Sequence, residues 1–243
     1  MTRFFVSGQD ILRDDHILTG ENAAHARVLR IRAGEQVILC DGEGTECLCS
    51  VVSTDAGQYA LQVLQRYAST SEAAVQVRVY IAFPKSDKLE HIVQKATELG
   101  AYEIVVFPSA RCISRPDEKT LNKKLERWQK IAASAAEQSG RGYVPRVTAL
   151  PSYSAALKHA AQADMALLFY ENERATTLHM ALESHNWHSV SILTGPEGGL
   201  DVSEVAQAEQ VGLKVCTLGK RILRCETAPL CALSAIMYAA GEF

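Results

Sequence analysis

The chain reads as an open, parallel α/β sheet domain behind a small β-rich module, and three observations carry that reading. Residues 75–107 alternate strand, helix and strand in about 32 residues, the pattern of a βαβ unit with its right-handed crossover. Short apolar runs then recur to the end of the chain with helical patterns between them. The first 66 residues instead carry strand-like runs and turn signals around one short helix.

In order, the small module has a short alanine-rich helix at Glu21–Leu29 and strands at Glu35–Cys40 and Tyr59–Leu64, with turns at Asp41-Gly42 and Asp55-Ala56-Gly57. Short strands of that kind predict a small barrel. The small, polar run Ala68–Ala74 is the linker, so the predicted domains are 1–70 and 74–243. Val75–Phe83 is a strand stopped by Pro84. Ser86–Leu99 is a helix, with Leu89, Ile92, Val93, Ala96 and Leu99 on one face and Gly100 as its stop. Glu103–Phe107 is a buried strand. A long helix spans Asp117–Gln138, with Leu121, Leu125, Trp128, Ile131 and Ala135 on one stripe. Strands follow at Ala166–Tyr170, Val190–Leu193 and Leu213–Leu218, and helices at Thr176–Ser184, Asp201–Val211 and Ala228–Ala240. The last of these has no charge and reads as buried on nearly all sides, in the core or under a partner.

The 243 residues, 47% hydrophobic and 22% charged, have the composition of an ordinary globular protein of one large or two modest domains. Disorder, collagen-like repeats and a coiled coil are excluded. No apolar run reaches the roughly 18–20 residues that span a bilayer. Asp10 follows the N-terminal run too closely for a signal peptide, so a cytoplasmic protein without a membrane partner is expected. Seven scattered cysteines, among them Cys47-Leu48-Cys49, complete no four-ligand set, and no metal is expected. His25, His91, His159, His179, His185 and His188 are scattered and polar-flanked, and read as surface or capping residues.

The net charge of −3 hides a division. Residues 1–72 hold six Arg, no Lys and ten acids, giving −4, whereas residues 111–146 hold nine basic residues against four acids, giving +5. The basic segment suits a polyanion, although a solvated helix face has the same composition.

In open parallel sheets, ligands bind at the carboxyl ends of strands. Two loops there are unusual. Leu193-Thr194-Gly195-Pro196-Glu197-Gly198-Gly199 exposes backbone N–H groups with little side-chain bulk, and Asp201 with Glu204 forms an acidic capping box behind it. It is neither a Walker loop nor GxGxxG, and Glu197 suits a ligand with hydroxyls or positive charge. The second loop, Leu218-Gly219-Lys220-Arg221-Ile222-Leu223-Arg224-Cys225-Glu226-Thr227, ends at a helix whose first turn contains Pro229, which aims Arg224 at the same rim.

These two motifs together closely resemble the bacterial small-subunit rRNA uridine-N3 methyltransferase family, in the SPOUT superfamily of knotted methyltransferases. The resemblance extends to Val28-Leu29-Arg30, Asp41-Gly42, Lys95–Gly100, Ser109-x-Arg111-Cys112, Ala136–Ser139 with Arg141, and Pro145, nearly the whole chain. Asp201 departs from the family's usual Ser but caps a helix equally well. The resemblance implies a PUA-like β-barrel RNA-binding domain before a SPOUT-type knotted open parallel sheet, with helices on both faces. It also implies S-adenosylmethionine (SAM) as cofactor, 16S ribosomal RNA or the small ribosomal subunit as partner, and a homodimer formed through the C-terminal helix.

On that reading Leu193, Thr194, Gly195, Pro196, Glu197, Gly198, Gly199, Leu218, Gly219, Ile222, Leu223 and Thr227 hold the cofactor. Arg224 stabilises the developing uracil anion, and Glu226 is the nearest candidate for a base or for orienting Arg224, helix capping being its other open role. Arg3, Arg30, Arg111 and Arg141 are the residues expected to meet RNA. Two other readings stay open: a SPOUT enzyme acting on another rRNA or tRNA position, and a non-catalytic RNA-binding protein of the same fold. An α/β enzyme acting on a small metabolite is disfavoured by the basic segment and the leading β module.

Overall fold

In the computed structural model the described residues are 1–55, 57–85, 87–183 and 187–243. The expected turn residue Ala56, the helix start at Ser86, the helix end at Ser184 and His185 lie outside them. The chain divides into two units, Met1–Glu72 with Ala136–Val144, and Ala73–Ala135 with Pro145–Phe243.

The first unit contains β1 (Arg3–Phe5), β2 (Asp15–Leu18), α1 (Gly20–Val28), β3 (Gln36–Cys40), β4 (Thr45–Ser53) and β5 (Tyr59–Ala68). They form one five-stranded sheet in the order β1-β3-β4-β5-β2, antiparallel except where β1 runs parallel to β3. Register shifts at Leu48/Cys49 and Val51/Ser53 add the bends that curl it. Cys47, Cys49 and Val51 alternate inward along β4 to meet Phe4, Leu39 and Leu61. The CxC pair therefore packs the core.

Two carboxylates organise this unit's polar interior. Glu46, 2% exposed, accepts hydrogen bonds from Arg3 Nη1 at 2.6 Å and Ser69 Oγ at 2.5 Å. Glu72 accepts from Arg141 Nη2 at 2.6 Å and Nε at 3.1 Å, and from the backbone N–H groups of Gly142 and Tyr143 at 3.1 and 3.2 Å. Those bonds, with Gly44 N–H donating to the Gly142 carbonyl, make Ala136–Val144 part of the first unit. The predicted boundary near residue 70 placed this segment in the second domain. Arg3 and Arg141, expected to face RNA, are instead committed internally: Arg141 is 5% exposed. A guanidinium bound to a buried carboxylate, as Arg3 is to Glu46, or itself buried on a half-buried one, as Arg141 is on Glu72, satisfies the fold and is withdrawn from phosphate.

The second unit contains β6 (Gln76–Ala82), α2 (Lys88–Glu98), β7 (Glu103–Phe107), α3 (Glu118–Ser139, its last turn counted with the first unit), β8 (Arg146–Ala149) and α4 (Tyr153–Ala160). After these come β9 (Met165–Phe169), α5 (Leu178–Ala181), β10 (Ser189–Thr194), α6 (Val202–Gln210), β11 (Lys214–Cys216) and α7 (Ala228–Ala239). Six parallel strands lie in the order β11-β9-β10-β6-β7-β8. The chain moves outward from β6 to β8, crosses back to β9, inserts β10 beside β6 and finishes at the β11 edge. Helices cover the sheet: α2 and α7 pack together, with α7 on β6 and β10, while α4 packs on β6, β7, β10 and α6. Burial on both faces explains the near-continuous apolar strands such as Met165–Phe169 and Glu103–Phe107.

α4 was not predicted, although Ser152 caps it by accepting from the Ala155 N–H. β1, β2, β4 and β8 were also missed, being short or polar at their ends. α7 is not buried all round: Ala232, Leu233, Ile236 and Met237 face the core, while Cys231, Ser234, Ala235 and Tyr238 form an outward stripe, with Tyr238 73% exposed. The seven cysteines are free, and no metal-binding cluster occurs among the described residues. No helix among the described residues is long and apolar enough to cross a membrane.

Arg141→Ala leaves Glu72 without its guanidinium, a change expected to destabilise the protein by about 3 kcal/mol. Urea unfolding checks this. A variant of unchanged stability would return Arg141 to the RNA-facing role.

Candidate functional site

The loops that follow β9, β10 and β11 meet at the carboxyl ends of these neighbouring strands and enclose a cavity of about 430 Å³. The first wall is Thr194–Gly199. Leu193 is fully buried beneath it, and Thr194 Oγ1 donates to the Tyr80 carbonyl at 3.4 Å. The turn is tight, with Gly199 N–H bonded to the Pro196 carbonyl at 2.9 Å.

Its glycines serve different ends. At Gly195 a Cβ would lie 3.0 Å from Leu200 Cγ and 3.1 Å from the Gly199 carbonyl carbon, so the turn closes only around bare backbone. At Gly199 the backbone has φ +68°, and a Cβ would run into the Glu171 carboxylate. At Gly198 a Cβ would meet the Arg111 stem at 3.2 Å.

The wall is braced from behind. Ser203 N–H donates to Asp201 Oδ1 and Asp201 N–H to Glu204 Oε2, completing the predicted capping box. The other Glu204 oxygen accepts from Ala110 N–H at 2.8 Å. Arg111 reaches from the same segment to the Gly198 carbonyl and to Asp201 Oδ2, each at 3.1 Å. The Ser203 N–H and hydroxyl, then Arg111, hold the Asp201 carboxyl below its usual range. Arg111, expected to bind RNA, is thus a strut of the glycine loop, because its guanidinium already has an acceptor and a counter-ion.

The second wall is Thr217–Cys225. Leu218, Gly219, Ile222 and Leu223, expected to hold the cofactor, and Arg224, expected at the uracil, line the cavity together with Lys220 and Arg221. Arg224 is exposed and has no ion pair among the described residues. Its carbonyl accepts from the N–H groups of Thr227 and Ala228 at 2.9 Å, the turn that launches α7. Thr227 and Glu226 do not line the cavity. The third wall, Phe169, Tyr170, Glu171 and Arg174, was missed by the sequence reading, although a charged Glu-Asn-Glu-Arg run directly after a buried strand signals a functional loop.

Lys88, also missed, joins the walls. Its Nζ lies 3.1 Å from Glu197 Oε1 on the first wall and 3.1 Å from Glu226 Oε2 beside the second. Lys85 N–H adds a 3.0 Å bond to Glu197, and Cys225 Sγ donates to Glu226 at 3.2 Å. Glu197, then Glu226, raise the Lys88 pKa and keep it protonated. Burial pushes both carboxyls up, but their backbone N–H bonds and Lys88 outweigh it, and both end below the usual range. Burial, followed by the bond to Glu226, pushes the Cys225 thiol up to about 12. A carboxylate held ionised this way is a weak proton acceptor, so the expectation of Glu226 as a base gives way to Glu226 as an anchor for Lys88.

Comparison with known proteins agrees with this geometry. An RNA methyltransferase domain family matches residues 71–237, and an RNA methyltransferase PUA domain family matches residues 18–64. The chain is 39% identical to Ribosomal RNA small subunit methyltransferase E of Bacillus subtilis (strain 168) over 227 residues, covering 91% of this chain and 89% of that protein. A crystal structure of Ribosomal RNA small subunit methyltransferase E from Neisseria gonorrhoeae, bound to S-adenosyl methionine, superposes with TM-score 0.86 at 32% identity, covering 98% of this chain and 97% of that one. A putative methyltransferase from Legionella pneumophila, in complex with SAM, gives TM-score 0.82 at 25% identity and covers 98% of both chains.

Because both carboxyl pKa values are lowered on folding, the stability they lend is present above the ordinary carboxylate range and fades as pH falls through their folded values. Lys88→Gln is expected to lower Tm at pH 7. The difference from wild type should shrink as pH falls from the ordinary carboxylate range through the lowered folded values of Glu197 and Glu226. Calorimetry across that range checks this; a difference independent of pH would mean that Lys88 acts by packing alone.

Proposed function

Because the chain belongs to the ribosomal RNA small subunit methyltransferase E family, we propose that it methylates N3 of one uridine in 16S ribosomal RNA with SAM as the methyl donor. The observation that carries this reading is a cavity at the carboxyl ends of three neighbouring strands, with a glycine-rich turn as one wall and an arginine without an ion pair among the described residues, Arg224, in its lining.

The cavity fits the cofactor. Its volume, about 430 Å³, falls in the range of small-molecule sites, and Gly195, Gly198 and Gly199 leave half of the six-residue first wall without side chains. SAM supplies a methyl group on a positively charged sulfonium. Backbone groups of Gly195–Gly199 and Leu218–Leu223 hold its adenine and ribose, and the carboxylates of Glu171 and Glu197 suit a ligand carrying hydroxyls and positive charge. Lys88 keeps the two walls at a fixed separation, which positions the reacting atoms.

The uridine N3 gives its proton to solvent water at the open rim. Its lone pair then forms the N–CH3 bond as the S–CH3 bond breaks and S-adenosylhomocysteine leaves as the neutral thioether. Arg224 favours the loss of the proton by placing a guanidinium against the negative charge that spreads onto O2 and O4. Exposed lysines of α3, Lys119, Lys123 and Lys130, contribute phosphate contacts in place of Arg111 and Arg141. A substrate in the small ribosomal subunit fits a cytoplasmic enzyme.

The test is mass spectrometric mapping of 16S rRNA from a strain lacking the protein, before and after incubation of its small subunits with the purified enzyme and SAM. A single uridine gaining an N3 methyl group supports the reading. A methyl on a ribose, on another base position or on tRNA overturns the site assignment, and no transfer at all overturns the enzyme. Arg224→Ala is expected to lower kcat by about 10²–10³-fold with SAM affinity near wild type. Equal losses in both, by calorimetry and single-turnover kinetics, would place Arg224 in the cofactor slot.

The α7 stripe of Cys231, Ser234, Ala235 and Tyr238 carries no charge and fits a second copy of the chain about a two-fold axis. Met237 is 1% exposed within the protomer, so a charge there would test the core. Tyr238→Glu is the informative change, expected to yield folded monomers with reduced activity. Sedimentation showing a monomeric, active wild type would remove the dimer.

A further inference from the structure

α1 ends in a turn that departs from the usual chemistry of helix ends. Ile31 N–H bonds to the Ala26 carbonyl at 3.1 Å and Arg30 N–H to the Arg27 carbonyl at 3.0 Å, the paired bonds of a Schellman motif. That motif needs a left-handed residue just past the helix, a position where glycine is ordinarily found. Here it is Arg30, with φ +58°, the sole non-glycine residue of positive φ among the described residues. Ala26 and Ile31 are buried and pin the turn to the core. Everything between them points outward: Val28 is 78% exposed and Leu29 46%, with Arg27 and Arg30 exposed beside them and Arg32 just beyond.

The charges of this unit separate in the same way. Of its seven arginines, Arg3, Arg13, Arg66 and Arg141 pair with Glu46, Asp10, Asp14 and Glu72. Arg27, Arg30 and Arg32 have no carboxylate partner among the described residues, and residues 25–34 contain no acid at all. Three unpaired cations and two bare aliphatic side chains therefore share one turn of an otherwise acidic unit. A strained backbone at an exposed position does nothing for stability, since glycine there would relieve it.

We infer that the end of α1 is an RNA-docking tip, with Arg27, Arg30 and Arg32 on phosphates and Val28 and Leu29 against the ribose and base surface between them. The inference rests on the RNA-methyltransferase reading and names the surface of the small unit that meets the substrate. RNA is the partner that offers both features at this spacing, because the shallow groove of an A-form helix exposes sugar and base edges between two rows of phosphates. Two aliphatic side chains are too few to anchor a membrane surface, and a protein partner would need acids to match all three arginines.

Filter binding of unmethylated 16S rRNA over a salt series, with Tm and SAM affinity measured alongside, tests the tip. Arg30→Gly separates function from folding: Tm is expected at or above wild type, SAM affinity unchanged, and RNA affinity several-fold weaker. Replacing Arg27, Arg30 and Arg32 together, by Gln, Gly and Gln, should lower the magnitude of the salt slope by about 2–3, one phosphate contact each. Val28→Ser with Leu29→Ser should weaken binding at an unchanged slope. Wild-type RNA affinity and slope in these folded variants would overturn the tip while leaving the methyltransferase reading intact. A wild-type protein that binds SAM but neither binds nor methylates 16S rRNA would overturn both. Loss of binding to anionic vesicles with RNA binding unchanged would also overturn the tip, assigning the surface to a membrane.

Discussion

The pocket depends on the Lys88 ammonium, shared at 3.1 Å between carboxylates that belong to two different loops. Lys88 is the first residue of α2, where the helix dipole disfavours a cation. Two carboxylates reverse that preference and leave the cluster with one net negative charge. The arrangement ties the loop after β10 and the segment launching α7 to the start of α2, three pieces of chain with no local reason to meet. It also fixes protonation states: the lysine stays charged, both carboxyls stay ionised, and the neighbouring Cys225 thiol stays neutral. Arg224, one residue before that thiol, stays exposed in the cavity lining without an ion pair among the described residues, as do Lys220 and Arg221.

A second set of contacts makes the glycine wall rigid. Backbone approach at Gly195 and the left-handed turn at Gly199 shape it from within. Asp201, Glu204, Arg111 and the Ala110 N–H brace it from outside. The glycines thus let Leu200, Arg111 and Glu171 pack directly against the backbone of the turn. Internal pairing of charges also governs the small unit, where Glu46 and Glu72 bind Arg3 and Arg141 internally and the remaining unpaired arginines gather at one exposed turn.

The legibility of each residue followed from the range of the interaction that defines it. Glycine, proline and capping signals are local, so the loop at 195–199, the capping box at Asp201 and Glu204 and the entrance of α7 were readable. The long strands and amphipathic helices of the second unit were readable from their periods. Short edge strands such as β1 and β2, and α4 with its single serine cap, gave signals below that threshold. The four arginines picked for RNA show the harder limit. Arg30 kept its charge exposed, whereas Arg3, Arg111 and Arg141 found acceptors 43, 90 and 69 residues away.

By itself the sequence determined the two-part architecture, the position of the ligand loops at strand ends and, through its motifs, the family. Those depend on backbone conformations and periodicities that a few neighbouring residues dictate. Only the tertiary structure decided which charges are free. A guanidinium is the same chemical group in every sequence window, and its role is set by the carboxylate that folding brings within 3 Å or withholds. That is why Lys88 and Glu171 joined the pocket unannounced, why Glu226 became an anchor for a lysine, and why Arg141 serves the core while Arg224 and Arg30 face outward.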